Sequence, residues 1–332
     1  MDHPTPAPTQ PLSLCDVESI LNNPKSEEAY NRVWWKVRSR DVLLQHTLKI
    51  YDFVEPFPLP AGPPSYKYNK GKLFLKKETK EGEWEGRLPG YADRIFHSLQ
   101  REHATWFDYM VLPPDERWTS DHLPVHAICT VFGEKENDKI AIVTYNWEQE
   151  YDAHFVKYVL KQTTSDVDHV LVACQELTLE CISKIQSALP RFRVWHACGN
   201  RPYAKNYRLA CLIWSRHWEP EPKRSPKKVP CTLFPASTGR MQHVGHAKGM
   251  MSVPVTLKSG KTLQFCSVHA PFKDETVTKL SFDTIKKNVS LLKTDSPYVI
   301  VAGDFNSRSP IGDLQYVKKV EYKECAVNEN NV

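Results

Sequence analysis

Short apolar runs separated by polar turns follow one another along most of the chain. Eight runs have the length and the β-branched or aromatic content of strands: TWFDYMVL, PVHAICTVF, KIAIVTYNW, HVLVACQEL, YRLACLIW, GMMSVPVTL, TLQFCSVHAPF and YVIVAGDF. Two segments, AHFVKYVLKQTT and LTLECISKIQSALPRF, show helical spacing instead, the second with Leu177, Ile182, Ile185 and Leu189 on one stripe. Many short strands with a few helices predict an α/β fold of packed layers.

The first part of the chain has a different pattern. Residues 1–12 hold the proline-rich run HPTPAPTQPL, which predicts a flexible leader. DVESILNN and the stretch from Ser26 to Val54 carry capping-type residues ahead of apolar positions, which predicts partial helix. Since no internal repeat or strong boundary follows, we expect residues 13–332 to form a single domain.

Composition narrows the class of protein. The chain has 332 residues, with 44 Lys and Arg against 39 Asp and Glu, a mild excess of base that fits an anionic substrate but does not indicate nucleic acid. Nine cysteines without CxxC pairs, and no secretory signal, favour a reducing compartment. No apolar stretch approaches the roughly 18 residues of a membrane span. We therefore expect a soluble, cytoplasmic protein.

The polar residues fall at the ends of the predicted strands. Asn146 lies in TYNW, Glu176 in CQEL and His269 in SVHAP, each at the end of a predicted strand. Three further segments place acids, an amide and an imidazole in the same way: Asp304 and Asn306 in GDFN, Asp121 and His122 in SDH, and Asp93 in YADRIF. Each alone is most simply a turn residue or a buried histidine. Six such endings at one edge of a sandwich predict a site.

These residue types suit phosphate-ester hydrolysis. Carboxylate and amide oxygens are the ligands of Mg²⁺, which keeps several waters and neutralises phosphate charge. Asp304 could orient or deprotonate an attacking water, with Asn306 holding that water or a phosphoryl oxygen. A histidine paired to a buried acid could stabilise the pentavalent centre or transfer a proton. The absence of cysteine clusters favours Mg²⁺ over zinc.

Taken together, TYNW, QE, VHAP, GDFN and SDHLPV resemble the strand-end motifs of the endonuclease/exonuclease/phosphatase superfamily. GPPSYKY, RLPGYADRIF and GDFNSR further resemble the FPPTYKY, RVPAWCDRIL and GDLNYR segments of the inositol polyphosphate 5-phosphatases, and GHAKGMMSV is a weaker match to GNKGAVAV. The resemblance runs from about Asp41 to Arg308. It implies a four-layer α/β sandwich, in which two packed β-sheets are flanked by helices, and a Mg²⁺-dependent phosphatase.

The order of the motifs differs from that of the family, in which the asparagine strand comes first and SDH comes last. Here residues 41–130 correspond to the family's C-terminal part and residues 140–308 to its N-terminal part, followed by a tail over 309–332. The resemblance therefore implies a circular permutation, with the former termini joined through VFGEKENDKIAIV, a predicted β-hairpin. A fragment of two tandem copies and a gene-model artefact are alternatives.

The resemblance assigns catalytic roles residue by residue. It implies that Glu176 is the main metal ligand, with Asn146 and Asp121 beside the metal and its phosphate. Asp304 and Asn306 would position the attacking water. His122, oriented by Asp93, would face the scissile phosphate, and His269 would donate to it from the other side.

The resemblance also implies a set of substrate contacts. Those to a neighbouring ring phosphate would come from Tyr66, Lys67, Arg87 and Lys248. Arg308 would make a structural or phosphate-side contact. Ala247, in place of the asparagine of NKG, leaves recognition of that second phosphate open, and Tyr91 and Ala92 replace the tryptophan and cysteine of WCD.

Two other functions remain open at this stage. A nuclease would use a basic stripe interleaved with aromatic residues, for which RFRVWHACGNRPYAKNYR is a candidate that also fits a helix–strand junction. A non-catalytic phosphoinositide-binding module would have lost Glu176, Asp304 or His122, all of which are present. The expected partner is an inositol phosphate or phosphoinositide, not a stably bound nucleic acid. The basic segment EPEPKRSPKK could contact an anionic membrane, although a solvated loop is the simpler interpretation.

Overall fold

The structure is a computed structural model that describes residues 54–56, 62, 65–66, 91–100, 102–197, 208–219, 225–233, 248–271 and 275–306. The strands are β1 (Asp93–His97), β2 (Ala104–Val111), β3 (Val125–Val131), β4 (Asp138–Asn146), β5 (His169–Leu177), β6 (Arg193–Ala197), β7 (Arg208–Ser215), β8 (Lys227–Lys228), β9 (Thr232–Leu233), β10 (Gly249–Thr256), β11 (Thr262–His269) and β12 (Tyr298–Asp304). The helices are α1 (Ala153–Thr163), α2 (Leu179–Ala188) and α3 (Glu275–Asp295). The predicted leader, the helical segments before residue 54 and the tail over 309–332 lie outside the described residues.

The strands form two mixed sheets. One has the order β1-β12-β11-β10-β9 and the other β2-β3-β4-β5-β7-β6-β8. Most neighbours are antiparallel, but β4 runs parallel to β5, β11 runs parallel to β12, and the two-residue β8 runs parallel to β6. Because parallel neighbours need a crossover, α1 lies between β4 and β5 in the chain and α3 lies between β11 and β12.

The two sheets pack face to face, with β11 against β5 and β12 against β4. A polar contact crosses this interface, where the Ser267 hydroxyl accepts from Gln175 Nε2 at 3.2 Å and donates to the Cys174 carbonyl at 3.1 Å. Around this contact the facing side chains are mainly apolar and exclude water, which makes the interface the dominant source of stability. The predicted α/β sandwich of two packed sheets and helices is confirmed.

Helices cover the outer faces of both sheets. On α1, Phe155 packs against Tyr145 of β4 with ring centroids 4.4 Å apart, and Asp152 caps the helix by accepting from the Phe155 amide. On α2, Thr178 caps the first turn and Ile182 and Ile185 are buried in the same core. Ile285 and Val289 of α3 pack on the opposite face with Val299 and Val301. The layers are therefore α3, the five-stranded sheet, the seven-stranded sheet, and α1 with α2.

The segment predicted to join two halves is a hairpin, as its pattern indicated. β3 and β4 pair antiparallel, with Val131 opposite Asp138 and the turn over 132–137 between them. This turn lies beside the turn over 257–261 that joins β10 and β11, since Lys261 Nζ donates to the Phe132 carbonyl at 2.6 Å. We call these two neighbouring turns the far end of the sandwich. Among the described residues, no helix is long and apolar enough to cross a membrane.

Some elements differ from the sequence-based prediction. β1, β6 and the short β8 and β9 were not predicted as strands, and α3 was not predicted as a helix. Helix α2 ends at Ala188, four residues before the predicted limit, because Pro190 follows at once and cannot extend a helix. In α3 the threonines, serines and valines have weak helix propensity, so packing against the sheet and not local preference selects the helix.

Candidate active site

The polar strand ends meet at one edge of the sandwich. Since β4 and β5 are parallel, Asn146 lies opposite Gln175 and beside the end of β5, where Glu176 stands. In the other sheet β11 and β12 are parallel, and His269 lies opposite Asp304. We call this edge, where all four strands finish, the site end. It is opposite the far end.

Gly303 allows β12 to approach β11 closely at this edge. A Cβ atom at this position would lie 2.0 Å from the carbonyl oxygen of Val268, its partner in the register. No side chain can be accommodated at that distance, so the glycine of GDFN is required by the packing. Asp304, the last residue of β12, is therefore held in a well-defined position beside β11.

Asp304 is the centre of a group of contacts between the two sheets. Its Oδ2 accepts from Asn146 Nδ2 at 3.1 Å and lies 3.3 Å from His269 Nε2. Glu176 Oε1 completes the group, 3.4 Å from His269 Nε2 and 3.5 Å from Asn146 Nδ2. Four side chains that are distant in sequence therefore share one polar cluster. Asp304 is 1% exposed and His269 1% exposed, so the cluster is desolvated.

Asn306 turns the chain back onto this cluster. Its amide N–H donates to Asp304 Oδ1 at 2.8 Å, and its Nδ2 donates to the Ala270 carbonyl at 2.7 Å and to Asp304 Oδ2 at 3.1 Å. Its φ of 49° is in the left-handed region, which asparagine tolerates better than most residues. The asparagine of GDFN therefore fixes the carboxylate of Asp304 from the side of the loop.

A second acid–base pair lies beside the cluster. His122 Nδ1 is 2.7 Å from Asp93 Oδ2, and both residues are buried. Ser65 holds both segments, since its hydroxyl accepts from the Asp93 amide and its carbonyl accepts from the Leu123 amide. Tyr66 bridges to His122 through the backbone, and the two rings are 4.4 Å apart. The pair is thereby fixed from three segments of the chain.

The electrostatics of the two groups differ. Burial raises the pKa of Asp93 to about 6, against the opposing effect of His122. Burial alone would lower the pKa of His122, but the carboxylates of Asp93, Asp304 and Asp121 raise it well above its ordinary value. His122 is therefore the imidazolium of the pair at neutral pH, and it can donate from Nε2.

His269 and Asp304 shift in the opposite direction. Burial, with the neighbouring Lys248 ammonium, lowers the pKa of His269, whose Nε2 is in contact with Lys248 Nζ. Burial would raise the pKa of Asp304, but the hydrogen bond from His269 and the charges of His122 and Lys248 hold it well below its usual range. Asp304 is therefore ionised and His269 neutral at pH 7. Two histidines in one cluster are set to different protonation states.

Asp121 joins the site through two contacts. Its Oδ1 lies 3.7 Å from His122 Nε2, and its amide donates to Glu148 Oε2 at 3.0 Å. The next contact leads back to the asparagine strand, since the Glu148 amide donates to Asn146 Oδ1 at 3.0 Å. All the sequence-predicted residues that the structure describes therefore lie at this edge: Tyr66, Asp93, Asp121, His122, Asn146, Glu176, Lys248, His269, Asp304 and Asn306. Lys67, Arg87 and Arg308 are outside the described residues.

Four residues at the edge have left-handed backbone without being glycine. They are Glu148, Gln149, Glu176 and Asn306, with φ of 45°, 71°, 55° and 49°. Such conformations are strained and concentrate at functional sites. The left-handed backbone of Glu176 belongs to a β-bulge, because the register shifts between Cys174 and Leu177 where β5 pairs with β7. The bulge directs the carboxylate of Glu176 toward Asn146 and His269.

The residues fit a divalent cation. Asp93, His122 and Asp304 each offer a ligand atom within 4.8 Å of the others. Asp93 Oδ1 is buried and has no hydrogen-bond partner among the described residues, which is costly unless something else satisfies it. The sequence-predicted ligands Glu176 and Asn146 lie in the same cluster as Asp304 and His269 and add a carboxylate and an amide oxygen to it. Oxygen donors of this kind suit Mg²⁺ or Mn²⁺ better than a soft metal.

Sequence analysis missed three residues that organise the site. Ser65 and Ser120 act through their hydroxyl groups: Ser120 donates to the Asn146 carbonyl at 2.6 Å and accepts from the His122 amide at 3.1 Å. Glu148 is the third. Ser65 and Ser120 are the first residues of SYKY and SDH, and Glu148 directly follows TYNW; these positions are their only signals in the sequence. Local hydrogen bonds of Ser and Glu leave no periodic pattern by which to find them.

The arginines of the basic–aromatic stretch RFRVW contact tryptophans within the chain. Arg193 lies 3.8 Å above the ring of Trp218, and Arg191 lies 5.7 Å from the ring of Trp214. Such cation–π contacts use the same aromatic faces on which nucleic-acid bases would stack. In the described part of this stretch, the residues therefore have the arrangement of a helix–strand junction.

The chain was compared with known proteins. None of the family models matches it, and neither does any curated protein. Among solved structures it is similar to truncated TDP2 from Caenorhabditis elegans, with 15% identity, a TM-score of 0.32, and coverage of 50% of this chain and 58% of that one. It is also similar to an endonuclease/exonuclease/phosphatase family protein from Bacteroides thetaiotaomicron, with 13% identity, a TM-score of 0.37, and coverage of 50% and 62%. The chain thus spans less than two thirds of the length of either.

Proposed function

We propose that this chain is a Mg²⁺-dependent phosphohydrolase of the endonuclease/exonuclease/phosphatase superfamily, acting on the 5-phosphate of an inositol polyphosphate or phosphoinositide. One observation carries the proposal: a buried His–Asp pair lies directly beside a cluster of Asp304, Asn146, Glu176 and His269. Carboxylates, an amide and two histidines in different protonation states provide the ligands and proton carriers that ester hydrolysis needs.

Glu176 and Asn146 would hold the cation, and Asp121 would lie beside it. The carboxylate oxygens of Asp93 and Asp304 are further candidate ligands. When bound, a divalent cation neutralises phosphate charge and lowers the barrier to attack by water. The chain itself supplies the remaining steps. Asp304, ionised and held by Asn306, accepts the proton of the attacking water and fixes the line of attack.

The two histidines contribute differently to the transition state. His122, protonated and oriented by Asp93, donates from Nε2 to an oxygen of the phosphoryl group, where negative charge develops. His269 is neutral and buried, and it positions Asp304 and Glu176. Burial makes each of these contacts stronger than in water.

The inositol substrate is proposed from the SYKY, RLPGYADR and AKG segments. Tyr66 packs against His122 and Lys248 contacts His269, which supports a role for both in binding a phosphate next to the scissile one. Lys67, Arg87 and Arg308 are proposed to add charge-assisted bonds to that region. A polynucleotide would instead need stacking faces along the site, and the arginines of the basic stretch already contact Trp214 and Trp218.

We further propose that the order of these segments is a circular permutation of the family order, with its joint in the turn over 132–137. The hairpin of β3 and β4 supports this because it brings SDH next to the asparagine strand within one sheet. The short turn also fits the rule that domain termini lie close together.

The test is phosphate release from soluble inositol trisphosphate, a phosphoinositide, a simple aryl phosphate and single-stranded DNA, each with Mg²⁺ and with chelator. We expect release from the inositol compounds, abolished by chelator and reduced by at least roughly a hundredfold in Glu176→Gln. Lys157→Ala, an exposed change on α1, is the control. Cleavage of DNA without phosphate release from inositol compounds would replace the substrate proposal, and undiminished turnover with chelator would overturn the mechanism.

A further inference from the structure

Glu148 stands two residues after Asn146, in the turn that follows β4. Its backbone and that of Gln149 are both left-handed, which is an unfavourable conformation for two consecutive residues with side chains. Contacts with β5 hold this turn in place, since the Trp147 amide donates to the Gln175 carbonyl and the Gln149 amide to the Glu176 carbonyl, both at 3.1 Å. The strain is thus maintained by the strand that carries the main metal ligand.

The turn directs Glu148 back toward the site. Its amide donates to Asn146 Oδ1 at 3.0 Å, which leaves Asn146 Nδ2 to donate to Asp304. Its carboxylate Oε2 accepts from the Asp121 amide at 3.0 Å. One residue therefore contacts two different segments of the site, one through its backbone and the other through its side chain.

The second of these segments carries the catalytic histidine. Asp121 precedes His122 directly, and the loop before β3 is otherwise tied to the β4 end by Ser120, whose hydroxyl donates to the Asn146 carbonyl. A hydrogen bond from an amide to a carboxylate is charge-assisted and stronger than a neutral one. The Glu148 carboxylate therefore sets the distance between the His122 loop and the end of β4.

We propose that Glu148 is a positioning residue, which holds the Asp121–His122 loop in register with Asn146 and Glu176 by accepting the Asp121 amide. This inference rests on the proposed phosphohydrolase function. We assign the role to the acceptor oxygen and not to the charge, because the Asp121–His122 loop is joined to Glu148 by a hydrogen bond to its carboxylate oxygen. The amide oxygen of glutamine can accept the same bond.

The experiment compares Glu148→Ala, Glu148→Gln and the matched control Glu150→Ala, which removes an exposed carboxylate from the same turn. We expect Glu148→Ala to lower kcat by roughly ten- to a hundredfold with KM changed less than threefold, because a displaced His122 costs rate and not binding. Glu148→Gln should restore kcat to within about threefold of wild type. Glu150→Ala should match wild type.

Two measurements that do not depend on turnover accompany the kinetics. Hydrogen exchange of the Asp121 amide should accelerate at least tenfold in Glu148→Ala and stay slow in Glu148→Gln. Mn²⁺ affinity, from calorimetric titration of the free protein, should fall in Glu148→Ala by roughly three- to tenfold because Asn146 and Asp121 lose their common support. If wild type hydrolyses nothing in the panel, the proposed function fails, while faster exchange with weaker Mn²⁺ binding still upholds the positioning role.

Other results would overturn the inference. Equal kcat and Mn²⁺ affinity in Glu148→Ala and wild type would show that the contact positions nothing. An equal loss in Glu148→Gln and Glu148→Ala would assign the effect to charge. If Glu148→Ala fails to fold, Glu148→Asp takes its place, because the shorter side chain keeps the charge but withdraws the acceptor from the Asp121 amide; unchanged kcat and Mn²⁺ affinity in that variant would overturn the inference.

Discussion

Two buried histidine–aspartate pairs lie at opposite ends of the sandwich. At the site end His122 Nδ1 is 2.7 Å from Asp93, and at the far end His169 Nε2 is 2.9 Å from Asp138. Asp138 also accepts from the Lys258 amide at 2.6 Å and from the Ser259 amide at 3.1 Å. Asp93 has an oxygen without a hydrogen-bond partner among the described residues.

The pKa values of the two acids follow from this difference. Burial would raise both, but the hydrogen bonds from His169, Ser259 and Lys258 lower the pKa of Asp138 to about 2. With fewer donors, the pKa of Asp93 rises to about 6. The aspartate therefore accepts from three donors at the far end, whereas at the site end it keeps an oxygen without a donor among the described residues. Fewer donors and deeper burial together give Asp93 the higher pKa.

The largest expected effect is on catalysis, from the matched changes Asp93→Asn and Asp138→Asn. We expect Asp93→Asn to lower kcat about a thousandfold, because His122 loses the carboxylate that orients it and stabilises its protonated form. Asp138→Asn should change kcat of the folded protein by less than about threefold. Steady-state phosphate release at pH 7 with Mg²⁺ checks both, and similar losses in the two variants would contradict the functional distinction between the pairs.

The next effect concerns stability, and here we expect the larger loss at the far end. Asp138→Ala should lower the free energy of unfolding by on the order of 3 kcal/mol or more, because two backbone amides and His169 lose their acceptor. Asp166→Ala, which removes an exposed acid that pairs with Lys139 nearby, should cost less than about 1 kcal/mol. Urea unfolding measures both. A cost at Asp138 no larger than at Asp166 would show that the contacts of Asp138 do not stabilise the far end.

Sequence patterns predicted the fold more completely than the site. The strands that carry continuous apolar runs were found, because burial on both faces leaves a strong signal. Strand β1 was missed because DRIFH is only five residues long and contains a buried arginine whose partner, Glu55, lies 39 positions away. Such a pairing depends on the tertiary fold and has no local signature.

The same reasoning applies to the two aspartates. Asp93 and Asp138 both stand at a strand boundary next to an apolar run, but only Asp93 was singled out, first as one of the polar strand ends and then by the resemblance of YADRIF. Nothing local indicates that Lys258 and Ser259, 120 and 121 positions away, donate their amides to Asp138. Without that contact its structural role could not be predicted.

A third prediction uses a buried histidine that lies away from the site end. His97 stacks on Trp106 at 4.6 Å, and burial lowers its pKa to about 4. In the unfolded chain its pKa is near 6.5, so the unfolded state binds more protons between pH 4 and 6.5, and stability falls as the pH drops through this range. The loss should reach roughly 2 to 3 kcal/mol by pH 4.

The variant His97→Phe keeps a ring against Trp106 but cannot titrate. Its unfolding free energy should therefore depend less steeply on pH between 4 and 6.5 than that of wild type. His126, whose pKa burial also lowers to about 4, contributes a second part of the slope, and His126→Phe should remove it. Unfolding curves at half-unit pH steps measure the slopes. Parallel pH profiles for wild type and the double variant would show that these histidines are not buried neutral.

The smallest expected effect tests the turn over 132–137, which we propose to be the joint of a permuted chain. Few contacts hold it: Glu136 forms a half-exposed ion pair with Lys258 at 3.2 Å, and the Gly133 amide reaches Asn137 Oδ1 at 3.4 Å. Exposed pairs of this kind contribute little, and lengthening a loop costs only about 0.6 kcal/mol per doubling.

Insertion of six Gly and Ser residues between Lys135 and Glu136 should therefore lower the unfolding free energy by less than about 1.5 kcal/mol and leave kcat unchanged. The same insertion between Trp147 and Glu148 is the matched change at the site end, where it would separate Asn146 from the contact that Glu148 makes with Asp121. Protease cleavage within the inserted 132–137 turn tests whether the two parts form one domain. Because β3 and β4 belong to one sheet and share one core, the cut protein should stay associated and active. Release of two independently folded pieces, split at Asp138, would mean that the chain contains two units and that the site is not formed within a single domain.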